Sequence, residues 1–216
     1  MLVWEICIFS SILLTFATGK TILASKLIEE CRCHPDSAVA FFYCKHGDPS
    51  RDNFIGFARS IILQLIQLQP LLVPLVFEEQ SKGGTESLRS SKIAKEILAV
   101  ALESFDDLVI IIDGLDECTK SQKDEISMEI RSLVASAEGG NSRNLRCCFL
   151  SQDDNDMGRL LKALPMFKIT GEHNKEDILR FCQRRANEIG LNFGLPSQDI
   201  QALGECVSGN SDGRVP

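Results

Sequence analysis

Two short stations in the sequence carry residue types that could do chemistry together. The first is Gly19-Lys20-Thr21, set between an apolar run and a helical pattern. It reads as the end of a phosphate-binding loop, G-x-x-x-x-G-K-[ST]. Glycine in such a loop lets backbone N–H groups approach phosphate oxygens, and the positive end of the following helix adds to the attraction. The lysine then reaches the β- and γ-phosphates, and the threonine hydroxyl ligates Mg²⁺. The second station is Val109-Ile110-Ile111-Ile112-Asp113-Gly114-Leu115-Asp116-Glu117. An apolar strand that ends in a carboxylate delivers it to the carboxyl edge of a sheet, where open α/β folds bind ligands. Asp113 is suited to hold Mg²⁺, directly or through water. Asp116 and Glu117 follow at once, where a carboxylate could orient or activate water. Each station alone has a plain structural alternative: a helix that starts near Gly19, and a solvated turn after a core strand. Together they reinforce each other, because the interval from Lys20 to Asp113 leaves room for one more strand and its helices.

Those residues need a scaffold, and the apolar patterning supplies one. Ile6 to Phe16 is apolar and reads either as a secretory core or as a buried first strand. Glu5 precedes it without Lys or Arg, which speaks against the secretory reading. Helical spacing follows over Thr21 to Cys31, then a short strand from Val39 to Tyr43. A turn at Gly47-Asp48-Pro49-Ser50, with Ser50 as N-cap, opens a helix. That helix has Phe54, Ala58, Ile61, Ile62, Leu65 and Leu68 on one face, and Pro70 and Pro74 limit it. Residues 78–90 read as a polar loop. Ile93, Ile97, Ala101 and Phe105 mark the next helix, before the strand Leu108–Ile112. A capping box at Ser121–Asp124 predicts a helix to about Ala137, and Glu138 to Asn144 a loop. A strand follows over Leu145–Leu150, then a helix from Asn155 to Leu164 and a strand at Met166–Ile169. Asn174 caps a helix to Ile189, and a last helix runs from Ser197 to Val207. This alternation predicts a three-layer α/β fold with a mainly parallel sheet.

Composition narrows the function classes. The chain has 216 residues, with 23 Lys and Arg against 30 Asp and Glu, for a net charge of −7. An acidic balance argues against a nucleic-acid surface, which needs clustered cations. No apolar run reaches the 18 residues or so of an ordinary spanning helix, so no membrane partner is expected. Nine cysteines without tandem spacing argue against a small disulfide scaffold. Most sit in apolar runs and read as core thiols, which suits a cytoplasmic chain. Cys31-Arg32-Cys33-His34 is the one local hint of a metal site, and it lacks a second ligand pair.

Three segments together resemble a known family. They are GKTILASKLIEE, AFFYCKHGDPSRDNF with the IILQL after it, and IIIDGLDEC. They are similar to the NACHT nucleotide-binding domain of the signal-transduction P-loop ATPases. More narrowly, they resemble the nephrocystin-3-like N-terminal domain of large fungal NACHT proteins, over roughly residues 18 to 213. The resemblance implies a P-loop NTPase fold in three layers, with an NTPase core over 18–170. It implies the start of a small helical subdomain over 171–216, where Lys175 to Phe181 carries the likeness. It places Thr18, Gly19, Lys20 and Thr21 on the nucleotide, and Thr21 and Asp113 on Mg²⁺. Asp116 or Glu117 would polarise water. Ser151 and Gln152 would sense the γ-phosphate where the family commonly reads Ser-Ser-Arg, and Gln152 brings no charge to that task. The implied function is an ATP- or GTP-binding switch with slow or no hydrolysis. Protein partners or self-association would act through domains missing from this chain. The alternative is a degenerate P-loop interaction module that binds nucleotide poorly.

The departures are as specific. The first glycine of the loop falls at position 14, where Leu14 stands, and Phe16-Ala17-Thr18 fills the middle. A leucine cannot cheaply take positive φ or admit a phosphate to the backbone. Either the domain is a degenerate binder, or Thr18 to Thr21 bind alone, or residues 1–17 do not belong to the domain. The expectation adopted is the last. Ser211-Asp212-Gly213 resembles a family turn that normally leads into an apolar helix, whereas Arg-Val-Pro follows here. Truncation at both ends is therefore expected.

Overall fold

The strand Asp107–Asp113 explains the architecture, because it is apolar without alternation and buried along almost its whole length. Such a strand must be covered on both faces. In the computed structural model it is. The structure describes residues 10–14, 19–34, 37–82, 88–138, 144–152, 155–160, 165–169 and 171–210. Five strands form one sheet: β1 (Ser10–Leu14), β2 (Ala38–Tyr43), β3 (Asp107–Asp113), β4 (Asn144–Gln152) and β5 (Met166–Ile169). Their spatial order is β2-β3-β4-β1-β5, and every pairing is parallel. The helices are α1 (Lys20–Arg32), α2 (Phe54–Leu68), α3 (Val73–Lys82), α4 (Ser91–Leu102), α5 (Lys120–Glu138), α6 (Asn155–Leu160), α7 (Gly171–Phe193) and α8 (Ser197–Gly209).

Side-chain alternation along the strands builds two cores. Leu108, Ile110 and Ile112 of β3 join Phe42, Cys147 and Phe149 on one face, under α2, α4 and α5. Phe57, Ile61 and Leu65 of α2 and Ile97 and Leu98 of α4 fill this larger layer. Val109 and Ile111 point the other way, with Val39, Cys148 and Leu150, onto Ala24, Leu27 and Ile28 of α1. Three layers result, and each large side chain buried in them contributes about 1.5–3 kcal/mol. The outer edge of β2 is closed by one side chain of α2. Gln64 accepts from the N–H of Phe41 at 3.0 Å and donates to its carbonyl at 2.7 Å, blunting an edge that could otherwise pair with another chain. At the amino edge of the sheet the buried Arg146 of β4 is paired with Asp107 and with the Ser37 hydroxyl. The last two helices, α7 and α8, pack on each other.

Several local expectations are corrected. Ser10–Leu14 is paired with both β4 and β5, so this part of the amino-terminal segment is a strand of the sheet. The polar stretch from residue 78 is not all loop: α3 runs to Lys82. The residue that caps α2 is Asn53, whose side chain accepts from the N–H of Gly56 at 2.9 Å. Ser50 lies three residues before that cap position, in the preceding turn, where its hydroxyl donates to Asp48 at 2.6 Å. Leu68 is half exposed rather than part of the buried face, and Phe105 lies beyond the end of α4. α5 starts at Lys120, which puts Ser121 inside its first turn, and α7 starts at Gly171, which puts Asn174 inside it. The end of the expected helix at 161–164 and the Ser211-Asp212-Gly213 turn lie outside the described residues.

Candidate functional site

Parallel pairing brings all the carboxyl ends of the strands to one edge. Register fixes their heights there. Tyr43 of β2, Asp113 of β3, Leu150 of β4 and Ile12 of β1 lie in one row. Ser151 and Gln152 extend past it, level with Leu13 and Leu14. β1 and β3 are separated by β4 alone, so the two chemistry-bearing stations meet across a single strand.

Gly19 opens α1 with φ of 82°, in the left-handed region that favours glycine, and its carbonyl accepts from Leu23 at 2.8 Å. The first two helical residues then reach the end of β3. Thr21 Oγ1 donates to Asp113 Oδ2 at 2.7 Å. Lys20 Nζ lies 3.2 Å from Asp116 Oδ1 and 3.0 Å from Oδ2, a pair with both side chains about nine-tenths buried. Asp116 Oδ1 also accepts from the backbone N–H of Gln152 at 3.0 Å. One carboxylate thus joins α1, the turn after β3 and the end of β4. The other oxygen of Asp113, Oδ1, is buried without a hydrogen-bond partner, and so is the Ser151 hydroxyl. Burial pushes the Asp113 carboxyl above the ordinary range, while the Thr21 hydroxyl and the Lys20 charge pull it back.

Gly114 makes the sharp exit from β3. Its φ is 75°, its N–H donates to Leu150 at 2.8 Å, and a Cβ placed on it would sit 3.3 Å from the Cys44 carbonyl. Gly114→Ala is therefore expected to cost about 1–2 kcal/mol of stability, read by chemical denaturation. An unchanged midpoint would show that the turn can relax.

The two acidic residues that the sequence left equivalent have different surroundings. Asp116 faces Lys20. Glu117 folds back over Gly114, with Oε1 within 3.4 Å of where a Cβ would be, and Oε2 accepts from the N–H of His46 at 3.1 Å. The His46 ring nitrogen Nδ1 lies 3.3 Å from the Glu117 carbonyl oxygen. His46, just before the turn Gly47-Asp48-Pro49-Ser50, had no signal of its own in the sequence. That turn is stiffened by Asp48, whose carboxylate accepts from Ser50 N at 3.0 Å, Ser50 Oγ at 2.6 Å and Arg51 Nε at 2.7 Å. Chiefly through Ser50 and then Arg51, these bonds hold its pKa down to about 2. The ionised form is the one favoured on folding, so its contribution is whole above the ordinary carboxylate value of about 3.9. It is lost as pH falls through about 2. An NMR titration is expected to place the Asp48 midpoint there, and a midpoint near the ordinary value would refute the triple bond.

Of the nucleotide-binding candidates, Gly19, Lys20, Thr21, Ser151 and Gln152 gather at this edge with Asp113 and Asp116, while Thr18 lies outside the described residues. Gln152 takes part through its backbone N–H. No group of three or more His, Cys, Asp or Glu that could hold a metal ion occurs among the described residues. Among them, too, no helix is long and apolar enough to cross a membrane.

The profile of the nephrocystin 3 N-terminal family matches residues 14–152. The chain belongs to that family. The match begins at the end of β1 and stops at the end of β4, so it encloses both stations of this nephrocystin 3 N-terminal domain. It is narrower than the span to residue 213 expected from the sequence. No curated protein matches the chain. Among solved structures it is similar to a Walker-type ATPase of Pyrococcus abyssi, at 12% identity and a TM-score of 0.52. The alignment covers 95% of this chain and 60% of that one. At such identity the likeness is one of fold, and the fold is the α/β fold of a P-loop NTPase. The chain spans about 60% of that ATPase's length.

Proposed function

We propose that this nephrocystin 3 N-terminal domain binds ATP or GTP with Mg²⁺ and works as a NACHT-type switch whose hydrolysis is slow or absent. One observation carries the reading. Lys20 and Thr21, at the start of α1, each meet a carboxylate of the segment that closes β3. Lys20 is the cation for the phosphates, and Gly19 and Thr18 belong to the loop around them. Thr21 and Asp113 are the residues that would hold Mg²⁺. They offer hard oxygen donors, and the buried, unpartnered Asp113 Oδ1 is a donor that such a cation would satisfy. When bound, Mg²⁺ neutralises phosphate charge. Asp116 or Glu117 would polarise water. Slow turnover fits their present engagements, Asp116 with Lys20 and Glu117 with His46. It also fits Gln152, which offers the γ-phosphate no positive charge beside Ser151.

In this reading the core spans 18–170 together with β1, which lies inside the same sheet, and α7 and α8 begin a helical subdomain. The partners are other proteins or further copies, met in the cytoplasm through other domains. A second reading has its own support: Leu14 ends β1 where the loop's first glycine would stand. That favours an interaction module that has lost nucleotide affinity. Titration with fluorescent ATP and GTP analogues and Mg²⁺ separates the two. Saturable binding by the wild type that Lys20→Ala loses supports the switch, and equally poor binding by both supports the module.

A further inference from the structure

The start of α1 has a second fastening, from the strand at the edge of the sheet. Tyr43 ends β2 and lies opposite Asp113 in the register of β2 with β3. Its side chain stands on the face that α1 covers, against the core of Ala24, Leu27, Val109 and Ile111. The Tyr43 hydroxyl lies 3.2 Å from Ser25 Oγ, one turn into α1. Ser25 Oγ in turn donates to the Thr21 carbonyl at 2.8 Å. A serine hydroxyl has one proton, and the Thr21 carbonyl takes it, so Tyr43 is the donor to Ser25. The tyrosine ring is itself held. It meets the Phe41 ring edge to face with centroids 5.5 Å apart, and the Arg32 guanidinium lies over Phe41 at 5.3 Å.

This chain of bonds ends on a residue that would hold Mg²⁺. Thr21 Oγ1 donates to Asp113 Oδ2 at 2.7 Å. A circuit therefore runs from Tyr43 through Ser25 and Thr21 to Asp113, and returns to Tyr43 through the strand pairing. A serine bonded back to the carbonyl four residues earlier does not strengthen a helix. Here it fixes the peptide that follows Thr21, and with it the backbone from which the threonine hydroxyl projects. A helical threonine has two χ1 wells open to it, so a small displacement of that backbone frees the hydroxyl from Asp113. Lys20, one residue earlier, carries its charge on a flexible four-carbon stem that absorbs the same displacement. The circuit bears on the metal ligand far more than on the cation for the phosphates.

We propose that Tyr43 is a positioning residue for the Mg²⁺ site: through Ser25 it holds the Thr21 hydroxyl in the orientation that meets Asp113 and a divalent cation beside it. Tyr43 acts through its neighbours and supplies no ligand of its own. The consequence for Mg²⁺ rests on the nucleotide reading above, whereas the hold on Thr21 belongs to the empty fold.

The test compares the full chain with Tyr43→Phe, Ser25→Ala, Ser25→Thr and the double variant Tyr43→Phe, Ser25→Ala. Each is titrated with fluorescent ATP and GTP analogues, once with Mg²⁺ and once with EDTA. The tightening that Mg²⁺ gives is expected to fall roughly three- to tenfold in Tyr43→Phe and in Ser25→Ala, with affinity in EDTA unchanged. The double variant is expected to lose no more than either single one, because residues in one chain of bonds do not act additively. Ser25→Thr keeps the hydroxyl and is expected to behave as the wild type. Equal losses with and without Mg²⁺ would show that the contact merely anchors α1, and would overturn the proposal. So would no loss in either single variant, or additive losses in the double one. The ligand-free protein gives an independent reading. Three-bond NMR couplings are expected to show one Thr21 χ1 rotamer in the wild type and averaging between rotamers in Tyr43→Phe. One rotamer in both would overturn the proposal whatever the titrations give. A wild type that binds no nucleotide sinks the nucleotide reading, and the Thr21 couplings alone then decide the positioning role.

Discussion

Lys20→Ala is expected to weaken Mg²⁺-dependent nucleotide binding by at least roughly tenfold and, in the same protein without ligand, to lower the melting temperature. The two effects have one origin. Lys20 and Asp116 are about nine-tenths buried and lie 3.0 Å apart. Removing one member of such a pair strands the other charge, at about 3–5 kcal/mol. Asp116 keeps the N–H of Gln152, so the lower end applies. In a chain of this size that corresponds to a fall of roughly 6–12 °C. Loss of the ammonium from a phosphate removes a charged hydrogen bond of about 1.5–3 kcal/mol, or roughly 10- to 150-fold in affinity. The double variant Lys20→Ala, Asp116→Ala should recover most of the stability and none of the binding. Thermal melts and fluorescent-nucleotide titrations on the three variants read both. A single variant that melts with the wild type would show that the ion pair contributes nothing to the empty fold.

Asp113→Asn is expected to do the opposite to stability. Burial raises the Asp113 carboxyl above its ordinary range, chiefly because few solvating groups reach it. A raised value means that folding favours the neutral acid. Its favourable contribution is then whole below the unfolded value of about 3.9 and is lost as pH rises through the folded value. At neutral pH the ionised carboxylate therefore weakens the empty protein, and a neutral amide of the same shape relieves it. The Thr21 hydroxyl can still donate to the amide oxygen. The variant should melt at or above the wild type without Mg²⁺. It should also lose the tightening that Mg²⁺ gives to nucleotide, by roughly tenfold or about 1.4 kcal/mol. Denaturation at neutral pH and titrations with and without Mg²⁺ decide it. A lower melting temperature in the ligand-free variant would refute the assignment of strain to Asp113.

What the sequence made legible was what local patterning controls. The uninterrupted run Leu108–Ile112 announced a doubly covered strand, and Asp113 at its end announced the edge at which the site lies. Gly19-Lys20-Thr21 announced the start of α1. Caps were less legible, because several short polar side chains compete for each helix start. α2 starts at Phe54, so Asn53 stands at its cap and Ser50, bonded to Asp48, stays in the turn before it. α3 was hidden by its polar second turn, Glu78-Glu79-Gln80-Ser81. Its hold on the core comes from Val76, buried from its first turn. That Lys20 and Asp113 share an edge was legible, but nothing in a linear pattern places β4 between β1 and β3 or divides Asp116 from Glu117.

If the nucleotide reading holds, the carboxylate of Asp116 also sets a kinetic property. Since it occupies Lys20 and the Gln152 amide together, an incoming anion finds its principal cation already engaged. In that reading, entry requires the contact to open first. The observed association rate would climb with ligand concentration only until it equals the opening rate, and then stay flat. A stopped-flow plateau of this kind is the signature of a gated site, and Asp116→Ala would turn the plateau into a straight line.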